Sequence, residues 1–134
     1  MGLVVDASAL VYAIRSPSPS ATVLRRRLGE AIAHAPHLID AEVGNVLRRH
    51  VLNDEVAPST AEALLGDAVT LVDVRYETSA ALRAAAWALR DNVTFYDALY
   101  VVLAQALRLP LLTADAKLAR APQLTCAVEL VTAG

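Results

Sequence analysis

The alternation of short apolar runs with helical segments is the feature that most constrains the fold of this chain. The chain begins with the β-branched run "GLVVD", and "ASALVYAIR" follows it with helical spacing. Further strand-like runs are "HLI", "VTLVDV", "LPLLTAD" and "CAVELV". Strands that alternate with helices favour an α/β sandwich built on a parallel sheet.

The segments between these runs have helical periodicity. After the breaker segment "SPSPS", an amphipathic helix is predicted to end near Pro36. Further helices are predicted over 40–54, from Pro58 or Ser59 to residue 68, over 77–90 with Trp87 in the core, and over 94–104. The 134 residues fit one domain, which we expect to span 1–134.

One carboxylate lies inside an almost wholly apolar segment, "TFYDALYVVLA". Its helical face carries Phe95, Ala98, Leu99 and Val102, so the helix should be largely buried. An unpaired charge on Asp97 would then cost several kcal/mol unless a cation or hydrogen-bond donors meet it. A capping box formed by Thr94 and Asp97 is the structural alternative.

Three further acids occupy comparable places. Asp6 ends the first strand and Asp115 follows "LLTA", while Glu42 and Asp97 lie in the first turns of helices. Ligand sites of parallel sheets lie outside the carboxyl ends of the strands, so the four acids should converge.

Each acid also has a structural explanation of its own. Asp115 can cap "AKLAR", Asp40 can cap the helix that contains Glu42, and Asp6 can accept backbone donors before Ser8, itself a possible cap. These explanations do not require the four acids to lie close together, whereas the binding of one or two hard divalent cations does. Carboxylate oxygens suit magnesium or manganese, and such ions support phosphodiester hydrolysis.

The composition limits the other classes of function. Hydrophobic residues make up 56% of the chain, but no apolar run approaches the ~18 residues of a membrane span, and a start without a basic n-region predicts a cytoplasmic protein. Cys126 is the sole cysteine, which excludes an internal disulfide and a multi-cysteine zinc site. A net charge of -2 gives no global attraction to nucleic acid, so local groups must hold such a substrate. Arg48 and Arg49 are better phosphate candidates than Arg25–Arg27.

Four motifs carry a family resemblance. In order, "LVVDASALV", "LIDAEVGNVL", "TFYDALYVVLA" and "LLTADAKL" resemble the acidic motifs of PIN-domain ribonucleases, and the short chain is similar to the VapC toxins of toxin-antitoxin pairs. The resemblance implies a three-layer α/β/α sandwich and a metal-dependent endoribonuclease. Its ligands of magnesium or manganese would be Asp6, Glu42, Asp97 and Asp115, with the Thr113 hydroxyl near the site.

The resemblance also implies RNA products with 5′-phosphate and 3′-hydroxyl ends, a VapB-type antitoxin and a homodimer. Other functions stay open at this point. A receiver-like signalling domain also has acids at strand ends, but it needs an acidic pair after its first strand, where this chain has Asp6 alone. A binding-only PIN-like module and a DNA nuclease are further alternatives.

Overall fold

The computed structural model describes residues 1–132 and contains a five-stranded parallel sheet of order β3-β2-β1-β4-β5. The strands are β1 Gly2–Val5, β2 Ile32–Pro36, β3 Val74–Tyr76, β4 Leu111–Thr113 and β5 Val128–Leu130. Adjacent strands in the sheet come from distant parts of the chain, so helices must make the crossovers.

Helices cover both faces of this sheet. They are α1 Ala7–Arg15, α2 Pro19–Glu30, α3 Ile39–Leu52, α4 Pro58–Leu71, α5 Ala80–Ala88, α6 Phe95–Leu107 and α7 Ala116–Ala119. Helix α1 packs against α2, α3 and α4, whereas α5 packs against α6, which lies on β1, β2 and β4. The three-layer α/β/α sandwich expected from the sequence is confirmed.

The centre of the sheet is formed by β1 and β4. Leu3, Val4 and Val5 of β1 and Leu111 and Leu112 of β4 are all fully buried, as is usual for central parallel strands. Their register pairs Val5 with Leu112, so the two strands end side by side. The residues that follow each strand therefore meet at the carboxyl edge of the sheet.

The region from residue 31 to residue 39 differs from the prediction. The helix after "SPSPS" ends at Glu30 rather than near Pro36, and Ile32–Pro36 forms β2. The predicted strand "HLI" is also wrong, because Ile39 begins α3. The alanines of "IAHAP" favour a helix locally, but pairing with β1 and burial of Ala33 and Ala35 outweigh that preference.

The third strand is displaced as well. Helix α4 continues through "VTL" to Leu71, and β3 begins at Val74 instead of residue 69. Trp87 is 60% exposed, so the prediction that it is a core residue is wrong, and Phe95 at the start of the largely buried α6 is 38% exposed. Helix α5 lies in the outer layer against α6 and buries only Ala86 fully.

Within residues 1–132, no helix is long and apolar enough to cross a membrane.

Candidate active site

Asp6 is the most constrained acid of the site. It follows β1 and caps α1, and its Oδ1 atom accepts hydrogen bonds from the Ala9 amide at 2.8 Å and the Ser8 hydroxyl at 2.7 Å. The Thr113 hydroxyl donates to Oδ2 at 2.5 Å. With 5% of its surface exposed, Asp6 has a fixed orientation at the end of the central strand.

Thr113 and Ser8 connect the two central strands through their hydroxyls. Thr113 is fully buried at the end of β4 and also accepts a hydrogen bond from the Asp115 amide at 3.0 Å. Ser8 accepts from the Ala114 amide at 3.0 Å. Ser8 is therefore not the cap of α1, as the sequence suggested, but a bridge from α1 to the chain after β4.

Glu42 enters the site from the first turn of α3. The Tyr100 hydroxyl of α6 donates to its Oε1 atom at 2.7 Å, which ties α3 to α6. Burial raises the pKa of Tyr100, and the adjacent Glu42 raises it further, so the hydroxyl keeps its proton and acts as a donor. Asp40 does not cap α3, because its carboxylate pairs with Arg75 at 2.7 Å.

Asp97 lies half-buried in the first turn of α6. The Thr94 hydroxyl caps the helix by accepting from the Asp97 amide at 3.2 Å. One half of the expected capping box is therefore present, while the Asp97 carboxylate remains available to the site.

Asp115 is exposed and caps the short helix α7, where it accepts from the Lys117 amide at 2.9 Å. Asp97 and Asp115 line the same cleft of about 500 Å³. The neighbouring positions on its wall are Asp91, Asn92, Thr94 and Lys117.

The four carboxylates repel one another. Burial raises the pKa of Asp6, which the hydrogen bonds of Thr113, Ala9 and Ser8 oppose and the charge of Asp97 reinforces. Burial also raises the pKa of Glu42; the Tyr100 hydrogen bond lowers it, and Asp97 and Asp6 raise it. The pKa of Asp97 is raised first by burial and then by Asp115, against a lowering effect of Thr94. The acids are thus close enough to interact through their charges.

Within residues 1–132, no ion pair joins this group to a protein cation, although Lys117 lines the cleft of Asp97 and Asp115. Among residues 1–132, the ion pairs join Arg27 to Glu129 and Arg75 to Asp40, and neither involves an acid of the site. In the same part of the chain, no three His, Cys, Asp or Glu side chains lie close enough to enclose a metal ion. The all-oxygen donor set fits a hard cation that keeps several waters, as magnesium does.

The structure thus places the four predicted acids at one edge of the sheet, within range of one another's charge, and Thr113 contacts Asp6. Sequence reasoning missed the roles of Ser8 and Tyr100 in holding Asp6 and Glu42. Ser8 lies two residues after an acid and Tyr100 lies in an apolar helix, so only their contacts identify them. Cys126 is half-buried, and this burial raises the pKa of its thiol, which disfavours the reactive thiolate.

Comparisons with known proteins agree with this arrangement. The PIN domain family model matches residues 3–124. Ribonuclease VapC1 of Mycobacterium tuberculosis is 55% identical over 128 residues, which cover 96% of each chain. Among solved structures, PAE2754 from Pyrobaculum aerophilum has a TM-score of 0.74 at 23% identity and covers 98% of this chain and 91% of its own.

A further solved structure, VapBC2 from Rickettsia felis bound to a DNA fragment from their promoter, has a TM-score of 0.69 at 17% identity. The match covers 96% of this chain and 98% of that one. These two structures share the fold, and the family model and VapC1 carry the relationship in sequence. The receiver-like alternative is set aside, because the chain belongs to the PIN-domain family and, within it, to the VapC ribonucleases.

Proposed function

We propose that this protein is the toxin of a VapBC-type pair, an endoribonuclease that hydrolyses RNA with magnesium or manganese held by Asp6, Glu42, Asp97 and Asp115. The observation that supports the metal requirement is a group of mutually repelling carboxylates, none of which forms an ion pair within residues 1–132. A divalent cation is the simplest ligand that would remove this repulsion.

The protein's own residues would orient the ligands and shape the site. Asp6 is held through both oxygens by Ser8, Ala9 and Thr113, and Glu42 is held through one oxygen by Tyr100. Asp97 and Asp115 face a more open cleft, where a phosphate and water have room. A bound cation would supply activation of the attacking water and neutralisation of the leaving oxygen.

Attack by water on the phosphorus leaves a 5′-phosphate on one product and a 3′-hydroxyl on the other. Attack by the RNA's own 2′-hydroxyl would leave a 2′,3′-cyclic phosphate instead. The end groups therefore separate metal-assisted hydrolysis from the chemistry of metal-independent ribonucleases.

The test is digestion of total cellular RNA by purified protein with manganese or magnesium, with and without excess chelator. We expect cleavage that the chelator abolishes, products with 5′-phosphate ends, and no cleavage by Asp97→Asn. Asp67→Asn, which removes an exposed acid from α4, is the matched control and should retain activity. Equal cleavage in chelator would contradict the metal requirement. Cleavage of DNA at the same rate would contradict RNA selectivity, and no cleavage at all would favour the binding-only alternative.

The proposed partners are a VapB-type antitoxin and a second copy of the chain. Exposed Trp87 and Phe95 line a shallow apolar depression between α5 and α6. A contiguous apolar surface of this kind is typical of protein interfaces. Light scattering at micromolar concentration should give about twice the 14.2 kDa of one chain.

The antitoxin should be encoded by a short open reading frame beside the gene and should co-purify with this protein and inhibit it. A stable monomer together with no such reading frame would contradict the proposed partners.

A further inference from the structure

A second cleft, of about 530 Å³, lies between α1 and α3 on the other side of the acids. Ser8 and Ala114 line one end of it, and the Ser8 hydroxyl is 2.7 Å from the Asp6 carboxylate. Arg15 and Arg49 line the other end. We name this cleft the α1–α3 groove. It leads directly away from the candidate metal site.

The positive charge of this groove lies at the end away from the acids. On α1, the cleft is lined at positions 8, 11, 12 and 15, which form one stripe about two turns or ~10 Å long. On α3, Glu42, Val46 and Arg49 follow the same helical spacing. Both helices therefore place an acid near their N-terminal end and an arginine near their C-terminal end.

Both arginines have donors to offer a ligand. Arg15 uses Nη2 to donate to the Glu55 carbonyl at 3.1 Å, and its other donors are unused within residues 1–132. Arg49 is exposed and makes no side-chain hydrogen bond or ion pair in that described part. Val11 and Val46 form an apolar wall between them, and the Tyr12 hydroxyl is held by Ser18 at 2.6 Å.

We propose that the α1–α3 groove binds the single-stranded RNA segment next to the scissile phosphate, with Arg15 and Arg49 on the backbone phosphates and Tyr12 beside a base. This inference rests on the proposed ribonuclease function. Arginine matches phosphate geometry, and an aromatic ring accepts a stacked base of any identity. The cleft beside Asp97 and Asp115 sets three acids against Lys117, whereas the groove presents two arginines, so the backbone phosphates next to the scissile one favour the groove.

A purely structural role is the alternative for Arg15 and Arg49, because each lies in the last turn of its helix, where a positive charge interacts favourably with the helix dipole. That explanation accounts for their position along each helix. It does not account for both facing one cleft that opens at the acids. The two explanations differ in one measurable property, because only the groove predicts a change in RNA affinity.

The experiment compares Arg15→Gln and Arg49→Gln with Arg108→Gln as the matched control. Arg108 is an exposed arginine that caps the opposite end of α6 from Asp97, roughly 16 Å along the helix axis. All three changes are made in the Asp97→Asn background with magnesium, and the probe is a fluorescein-labelled single-stranded RNA decamer of mixed sequence. Anisotropy gives the Kd at several salt concentrations, and a gel confirms that the decamer is intact.

We expect each groove variant to bind the RNA decamer about tenfold more weakly than the Asp97→Asn protein does. The slope of log K for RNA binding against log salt concentration should become shallower by about 0.7 for each phosphate that the protein no longer neutralises. Arg108→Gln should bind as the background does. With Asp97 present, the groove variants should raise KM for RNA more than they lower kcat.

The possible failures are distinguishable. If the parent cleaves RNA but the groove variants bind RNA as tightly as Arg108→Gln, the groove assignment is wrong. If those variants also escape inhibition by the antitoxin, the groove binds the antitoxin instead of RNA. If the parent cleaves nothing with either metal, the proposed function fails, while the binding comparison still decides the groove. A thermal melt of each variant identifies any loss of folding.

Discussion

Replacement of Asp97 by asparagine should abolish cleavage and, in chelator, make the protein more stable. Asparagine keeps the shape of the side chain and leaves the hydrogen bond from its own amide to Thr94 unchanged. The charge is the only large difference. Burial and the charge of Asp115 both raise the pKa of Asp97, so the native fold disfavours its ionised form.

The size of the effect follows from the separation of the acids. For like charges roughly 7 Å apart, Coulomb's law gives about 2 kcal/mol per neighbour at an effective dielectric of 20. Asp97 is only half-buried, so we halve this value to about 1 kcal/mol for solvent screening. Repulsion from a pair of neighbours then amounts to about 2 kcal/mol, and loss of the favourable acid at the start of α6 offsets up to about 1 kcal/mol of it.

The net gain of about 1 kcal/mol corresponds to a melting temperature about 3 to 5 °C higher for a domain of this size. The assay is thermal unfolding followed by circular dichroism, for the parent, Asp97→Asn and the exposed-acid control Asp67→Asn, in chelator and in manganese. Manganese should reverse the order of parent and variant, because it stabilises the native state that binds it and the variant has lost a ligand. If Asp97→Asn melts below the parent in chelator, Asp97 acts mainly as a helix-terminal acid and the argument for a repulsive cluster fails.

Three further outcomes are expected. The raised pKa values of Asp6, Glu42 and Asp97 mean that their ionised forms destabilise the fold at neutral pH. The melting temperature in chelator should therefore rise as pH falls through those raised values toward the ordinary 3.8 to 4.5. A melting temperature that stays flat or falls on acidification would contradict this. Thr113→Val should destabilise the protein by about 1 to 3 kcal/mol in denaturant unfolding, because the buried Asp6 loses a donor, whereas Thr113→Ser should retain most of the stability. Tyr100→Phe should lower kcat more than it changes the melting temperature, because it frees the Glu42 carboxylate; a change in melting temperature alone would refute a role in positioning.

The acidic group could be predicted from the sequence because each acid lies beside a recognisable boundary. Asp6 and Asp115 follow short apolar strands, and Glu42 and Asp97 lie in first turns. In a parallel α/β fold, those boundaries meet at one edge of the sheet whatever the details of the loops. The convergence therefore tolerates errors of several residues in other elements.

The remaining features depend on contacts between distant segments. The strand Ile32–Pro36 is alanine-rich and resembles a helix, and only its pairing with β1 and β3 determines its state. Trp87 is exposed because α5 has no second layer over it in residues 1–132. The sequence did not predict a role for Arg15, because Arg15 and Arg49 line one cleft only when α1 and α3 pack together.

All four acids lie at the start of a helix, and this position bears on both explanations that the sequence left open. Asp6 and Asp115 are caps of α1 and α7, and Glu42 and Asp97 lie in the first turns of α3 and α6. A carboxylate at such a place gains about 0.3 to 1 kcal/mol from the helix dipole, which is comparable with the screened repulsion from one neighbour. Placement at the start of a helix therefore offsets part of the repulsion, and the helix-terminal explanation of these acids is compatible with the proposed metal site.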